Sequence, residues 1–260
     1  MSQDEWNFYF RHQGGGTQSI RLDFSLRSQV PIHGMGVCVH AVVHLIDARP
    51  DGFPDSNENA TLNSIENDLL SSARHAGIAV HVACISGHGV RQIVFYATEA
   101  ASIAAAVASV RQKFPQYRID VNPQHDREWT YYRDTLCPDI AEVQQMVNRD
   151  IYDTLKEHGD PMESPREIDH WAYFPSQTAL NAFMEKLRVL GFGVRMQHDQ
   201  VGHGNDGSVA THGVQFFRAD VPSPGAFDEV TTELAELAAA EGGEYDGWET
   251  EILSGLTRLE

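Results

Sequence analysis

Apolar residues in this chain change their spacing in a fixed order, and the order recurs. Two short alternating segments, 6–11 and 19–26, read as strands around Gly14, Gly15 and Gly16. A longer strand follows at 36–46, and Pro50, Gly52 and Pro54 then break the chain. Leu62, Ile65, Leu69, Ala73 and Ala76 recur at helical spacing up to Gly77. Segments 78–86 and 91–97 form a hairpin pair around Gly87, His88 and Gly89. A second helix carries Ile103, Val107, Val110 and Phe114 until Pro115, and 117–122 is a last strand. The second half repeats this succession. Strand 167–174 leads to a helix capped by Ser176 and closed by Gly191, with Leu180, Phe183, Leu187 and Leu190 on one side. Strands 192–201 and 209–219 flank a glycine-rich turn. Ser223 and Pro224 open a helix with Phe227, Val230, Leu234 and Ala238 on its core face, Gly242 and Gly243 stop it, and 244–252 is the final strand. A β-α-β-β-α-β order met twice predicts an α+β protein of two tandem ferredoxin-like sandwiches with antiparallel sheets.

The segment 123–139 has no clear periodicity, and the domain boundary falls at its end. The domains are read as 1–138 and 139–260. Asp139, with Glu142 three residues on, caps a helix striped by Ile140, Val143, Val147, Ile151 and Leu155, which Gly159, Asp160 and Pro161 end. A length of 260 residues and a hydrophobic content of 42% suffice for two real cores.

Charge narrows the partners. The formal net charge is −18, with 11 basic against 15 acidic side chains in residues 1–140 and 8 against 22 in 141–260. Such a surface repels phosphate backbones, so direct nucleic-acid binding is not expected. Between Ala219 and Thr257 there are ten Asp or Glu and no Lys or Arg, and this run is either a solvated surface or a face that docks on something basic. No apolar run approaches the ~20 residues of a membrane span, and the acidic start has no signal-peptide core. Cys38, Cys84 and Cys137 are few and widely spaced, which fits buried thiols in a reducing cytoplasm.

No catalytic or cofactor motif emerges. His40 and His44 share a strand face, but four residues span ~13 Å, too far for one ion. His198 and His203 have no cysteine or carboxylate partner at ligand spacing, so no metal is expected. Residues 202–207 match G-x-G-x-x-G, yet strand is predicted on both sides where a dinucleotide site needs a helix after it. Cys84 sits in an apolar strand with no basic neighbours and reads as inert.

The last strand is unusual. Asp246 and Gly247 lie in its middle, where both have poor β propensity. Either Trp248 plugs the core and Gly247 makes room, or Tyr245, Asp246, Trp248 and Glu249 present a recognition edge. A ferredoxin-like order sets this strand beside the first, which brings Asp169, His170, Trp171 and Tyr173 next to it. These eight residues are the candidate partner-binding set.

Residues 139–251 resemble the regulator of ribonuclease E activity B, a ribonuclease E inhibitor family. The likeness lies in the leading helix, Ile168-Asp169-His170, Gly191-Phe192-Gly193-Val194, the Leu- and Ala-rich helix, and Glu244-Tyr245-Asp246-Gly247-Trp248 followed by Thr250. It implies an α+β domain that binds ribonuclease E without chemistry of its own and modulates RNA turnover. Residues 1–138 resemble a bacterial family of unknown function through Trp6, Tyr9, Asp51-Gly52-Phe53-Pro54, Leu62, Ile65-Glu66, Phe95-Tyr96, Phe114-Pro115, Tyr117, Asp126, Glu128-Trp129 and Tyr132. The leading expectation is a cytoplasmic, non-enzymatic regulator whose acidic and aromatic C-terminal surface binds a basic, ribonuclease E-like protein surface. A second reading is a small-ligand binder or enzyme in the N-terminal domain or the domain cleft, with His40, His44, His81 and residues 129–132 as candidates. A third is a homodimer joined through the aromatic edge.

Overall fold

The computed structural model describes residues 5–76, 79–203 and 209–253. The expected helix stop Gly77 and most of the glycine-rich turn, from 204 to 208, lie outside these residues. The chain divides into two compact units, Met1–Pro138 and Asp139–Glu260. Each is an antiparallel sheet with helices, so the molecule is α+β.

Unit 1 contains β1 (Trp6–Gln13), β2 (Gly16–Asp23), β3 (Val37–His44), α1 (Ser56–Ala76), β4 (Ala79–Gly87), β5 (Val90–Ala97), α2 (Ala100–Lys113) and β6 (Ile119–His125). The sheet runs β1-β2-β4-β5-β3-β6 with every neighbour antiparallel. The first hairpin closes through Gly14 and Gly15, both at positive φ, as a two-residue turn of matching twist requires. Leu62, Ile65 and Leu69 of α1 and Ile103, Val107 and Val110 of α2 meet Val39, Val43, Ile93 and Phe95, which places both helices on one face.

The segment without periodicity covers the other face. Pro123 is tolerated because β6 is an edge strand. The chain then turns through Trp129, at φ 58°, into a π-helical turn over Tyr131–Leu136. Trp129 is fully buried, stacks on Tyr96 at 3.8 Å and donates its Nε1–H to the Met35 carbonyl at 2.7 Å. Tyr132 donates to the Asp23 carbonyl, and Asp126 accepts from the Tyr96 hydroxyl, Thr130 and Tyr131. These aromatics are spaced to reach different strands, so they carry no helical or strand period.

Unit 2 contains α3 (Ile140–Glu157), β7 (Arg166–Phe174), α4 (Gln177–Val189), β8 (Gly193–His203), β9 (Val209–Asp220), α5 (Ala226–Ala240) and β10 (Glu244–Thr250). Its sheet is β10-β7-β9-β8, antiparallel throughout. The Asp139–Glu142 capping box forms, with Asp139 accepting from the Glu142 amide at 2.8 Å. Helix α5 begins at Ala226, two residues beyond the expected Pro224, because Asp228 folds back to accept from the Gly225 amide at 3.0 Å. Phe183 and Leu187 of α4 and Leu234 and Ala238 of α5 pack on Ala172, Phe174, Val214 and Phe216. Helix α3 adds a second cluster in which Tyr152 and Leu155 meet Ile168, Phe227 and Trp248.

Candidate functional site: the open sheet face of unit 2

Strand alternation sorts the β7 candidates onto two faces. Ile168, His170, Ala172 and Phe174 are buried on the helix side, while Glu167, Asp169, Trp171 and Tyr173 point the other way and are partly or fully exposed. In β10 the register slips between Tyr245 and Gly247. Tyr245 and Trp248 are three residues apart and would face opposite sides of a regular strand. The extra residue of the bulge, with Gly247 at φ 127°, turns both inward. The poor strand formers at 246 and 247 are there because the strand is irregular at that point. Asp246 and Glu249 are left exposed.

The inward trio is therefore interior. The Tyr245 hydroxyl is 2.8 Å from His170 Nδ1, and the His170 ring stacks on Phe216 at 5.1 Å. Burial, with the charge of Arg218 second, pushes His170 down to about 3, so it is neutral. Its Nε2 is buried without a hydrogen-bond partner. Trp248 donates its Nε1–H to Asn148 Oδ1 at 2.7 Å, and Asn148 Nδ2 donates to Asp228 and Thr231. Tyr152 donates to the same Asp228 oxygen at 2.9 Å. This network ties α3, α5 and β10 together and satisfies the buried indole. The Tyr-Asp-Gly-Trp motif is thus a structural clamp, and its two aromatics are not on the surface.

The opposite face of the sheet carries an aromatic layer that the sequence reading missed in part. Phe217 on β9 pairs with Gly193, and a Cβ at 193 would come within 2.6 Å of the Phe217 ring. His198 pairs with Gly213, where a Cβ would come within 2.5 Å of its ring. Trp171 pairs with the bulge glycine Gly247. Three rings thus stand opposite three glycines, and two of them lie over the space a Cβ would fill. Tyr173 meets the His198 ring edge-on at 5.9 Å. Burial first, and the nearby Asp246 second, raise the Tyr173 hydroxyl's pKa.

Carboxylates border this layer. Glu249 pairs directly with Asp169, an arrangement of like charges that is unfavourable unless a cation intervenes. Arg195 supplies one. Its guanidinium stacks over Phe217 at 4.5 Å and donates to both Asp169 and Glu167. A bulge between Val194 and Met196 marks where this strand departs from regular pairing at Arg195. Met196, 52% exposed, extends the apolar part. Phe217, Arg195, Glu167, His198 and Met196 were missing from the sequence-derived set. The glycines inside strands at 193 and 213 were the available signal, since they mark close approach.

Of the N-terminal candidates only His40 and Tyr131 come together, and the three histidines do not converge. His40 pairs with Val94 and His81 with Phe95, so they occupy opposite faces. His40 Nδ1 is 3.0 Å from Gln92 Oε1 and its ring abuts Tyr131, whereas His44 Nε2 is 2.8 Å from Asp120. Trp129 and Tyr132 are interior. Cys84 is buried and its pKa is pushed up to about 12, by burial first and Glu66 second. It does have a basic neighbour across the sheet, because Arg21 pairs with it. Among the described residues no group of three or more His, Cys, Asp or Glu could hold a metal ion, and no helix is long and apolar enough to cross a membrane.

Comparison with known proteins follows the division into units. Residues 145–250 match the family model described as Regulator of ribonuclease activity B. A crystal structure of an unknown protein from Galdieria sulphuraria is 13% identical and covers 83% of this chain and 99% of its own, at a TM-score of 0.25, too low to bear on fold or function. No curated protein matches. Residues 4–137, more than half of the chain, match the model of the family of unknown function DUF695, and the protein belongs to that family, with the segment that matches Regulator of ribonuclease activity B following it.

Proposed function

We propose that this protein is a non-enzymatic regulator of a ribonuclease E-type enzyme, and that its C-terminal unit docks a basic, arginine-bearing segment of that partner on the open sheet face. The observation that carries this reading is Arg195, whose guanidinium lies over Phe217 between Glu167 and Asp169. The face already holds one arginine in the manner a partner's arginine would need, ring beneath and carboxylates at the sides. Trp171, Tyr173, Asp246 and Glu249 offer further rings and charges of the same kind. The family match supports a ribonuclease as the class of partner. His170, Tyr245 and Trp248 support this face from beneath.

Carboxylates on the rim would set the association rate and its salt dependence, and the rings the residence time. Titration calorimetry with an arginine-rich peptide from a ribonuclease E-type protein tests the proposal. Trp171→Ala together with Asp169→Lys is expected to weaken binding roughly a hundredfold, in line with the loss of an aromatic anchor and a charge contact. Binding that survives this pair, or that is indifferent to salt, counts against the proposal. Preference for single-stranded RNA over the peptide would overturn it.

A further inference from the structure

A concave site lies in unit 1, where the β1–β2 hairpin extends the sheet beyond α1. The step between them forms an open cleft of about 420 Å³, within the range of small-molecule sites. Glu66 of α1 is 5% exposed and lies at its wall. One of its oxygens accepts from the Arg21 guanidinium. The other has only the Cys84 thiol, a weak donor, at 3.5 Å. A buried carboxylate is therefore short of donors and borders open space. Arg21 is its opposite in exposure, with a side chain 46% exposed and its guanidinium beside the Trp6 ring at 5.5 Å. Trp6 is itself braced by stacking on His81 at 4.8 Å. Leu70 gives an apolar patch, and the carboxamide of Asn67 makes no hydrogen bond among the described residues.

This combination selects by charge. A simple anion would meet Glu66, and a simple cation would meet Arg21. A neutral ligand would have to leave the Arg21–Glu66 pair intact and gain neither charge. A molecule carrying both signs on adjacent atoms replaces one ion pair by two and leaves the net charge of the cavity unchanged. We propose that the cleft between α1 and the β1–β2 hairpin binds a free α-amino acid, its carboxylate on Arg21, its ammonium on Glu66 and its side chain against Leu70 and Trp6. Asn67 completes the polar end. Apolar and aromatic amino acids are favoured, since the side-chain end offers no further charge. The site is independent of the open sheet face of unit 2.

The test is titration calorimetry of the intact chain with each of the twenty α-amino acids separately, with acetate and methylammonium as the single-charge controls. At least one apolar or aromatic amino acid is expected to bind, and neither control to do so at equal concentration. Arg21→Gln, at a half-exposed position, removes the carboxylate contact and is expected to weaken binding roughly ten- to a hundredfold. Asn67→Phe fills the cavity from the exposed side of α1 and is expected to abolish it. Glu66→Gln removes the ammonium contact and is expected to weaken binding by a similar factor; should it fail to fold, the other two variants carry the test. The proposal is overturned if none of the twenty binds, if acetate or methylammonium binds as tightly as the amino acids, or if both variants bind like the parent.

Discussion

His170 shows how much one buried titratable side chain can decide. Its ring is enclosed by Phe192, Phe216, Phe227 and Tyr245, so charging it inside the fold is costly. In the unfolded chain it takes up a proton near its ordinary value of 6.5, and in the folded chain only near 3. Between those values the unfolded state binds more protons. Stability is therefore complete above about pH 6.5 and is lost as the pH falls towards 3, by at most about 1.4 kcal/mol per pH unit. Asp160 acts in the same direction at lower pH. Burial alone would raise its carboxyl, but the Arg166 guanidinium and the amides of Met162 and Leu253 outweigh that and hold it below the usual range. Its contribution begins to fall as the pH drops below the ordinary carboxylate value and is gone once the pH has passed through that depressed value. Replacing His170 by Phe is expected to flatten the upper part of the acid profile in chemical denaturation. It should also cost about 1–3 kcal/mol near neutral pH, because the Tyr245 hydroxyl is left buried and unpaired. His170→Phe combined with Tyr245→Phe should recover most of that cost. A double variant no more stable than the single would show that the pair is not coupled.

At the scale of elements, the glycines inside strands separate two roles. Gly247 holds a backbone conformation that other residues rarely adopt, and a Cβ there would meet nothing within 4 Å. Gly247→Ala is thus expected to cost about 1–3 kcal/mol from backbone strain alone. Gly193 is the reverse case, with ordinary φ but no room beside the Phe217 ring. Gly193→Ala should push that ring and the Arg195 above it out of place. Partner binding should then weaken about tenfold or more while the melting temperature moves little, because the displaced ring is half-exposed. Equal losses of stability in the two variants would refute the distinction. The same comparison shows what could be read from the chain. Strand and helix order was legible, because each element repeats its own period over several residues. That Trp248 and Tyr245 share a face was not, because it depends on a one-residue slip against β7. The aromatic layer was half visible for a similar reason. Trp171 and Tyr173 stand in one alternating run, but Phe217 and Arg195 join them only through pairing with distant strands.

At the scale of the molecule, each unit closes its own core. Val39, Leu62, Phe95 and Val107 belong to one cluster, and Phe174, Phe183, Phe216 and Leu234 to another, within unit 2. Cooperative melting follows the core that a side chain belongs to, because that is where its removal leaves a void. Phe183 is fully buried between Phe174 and Phe216, with ring centroids 4.9 and 5.6 Å away. Phe183→Ala is therefore expected to cost about 3–5 kcal/mol in unit 2. If the units melt independently, calorimetry of the full chain should show one transition moving to lower temperature and the other staying where it was. Leu62→Ala, in the core of unit 1, should move the other transition instead. The two functional proposals sort in the same way. The first variant should reduce peptide docking at assay temperatures near its lowered transition and leave amino-acid binding intact, and the second should do the opposite. One shared transition, displaced equally by both substitutions, would mean that the units fold as a single cooperative body and that damage to either core reaches both sites.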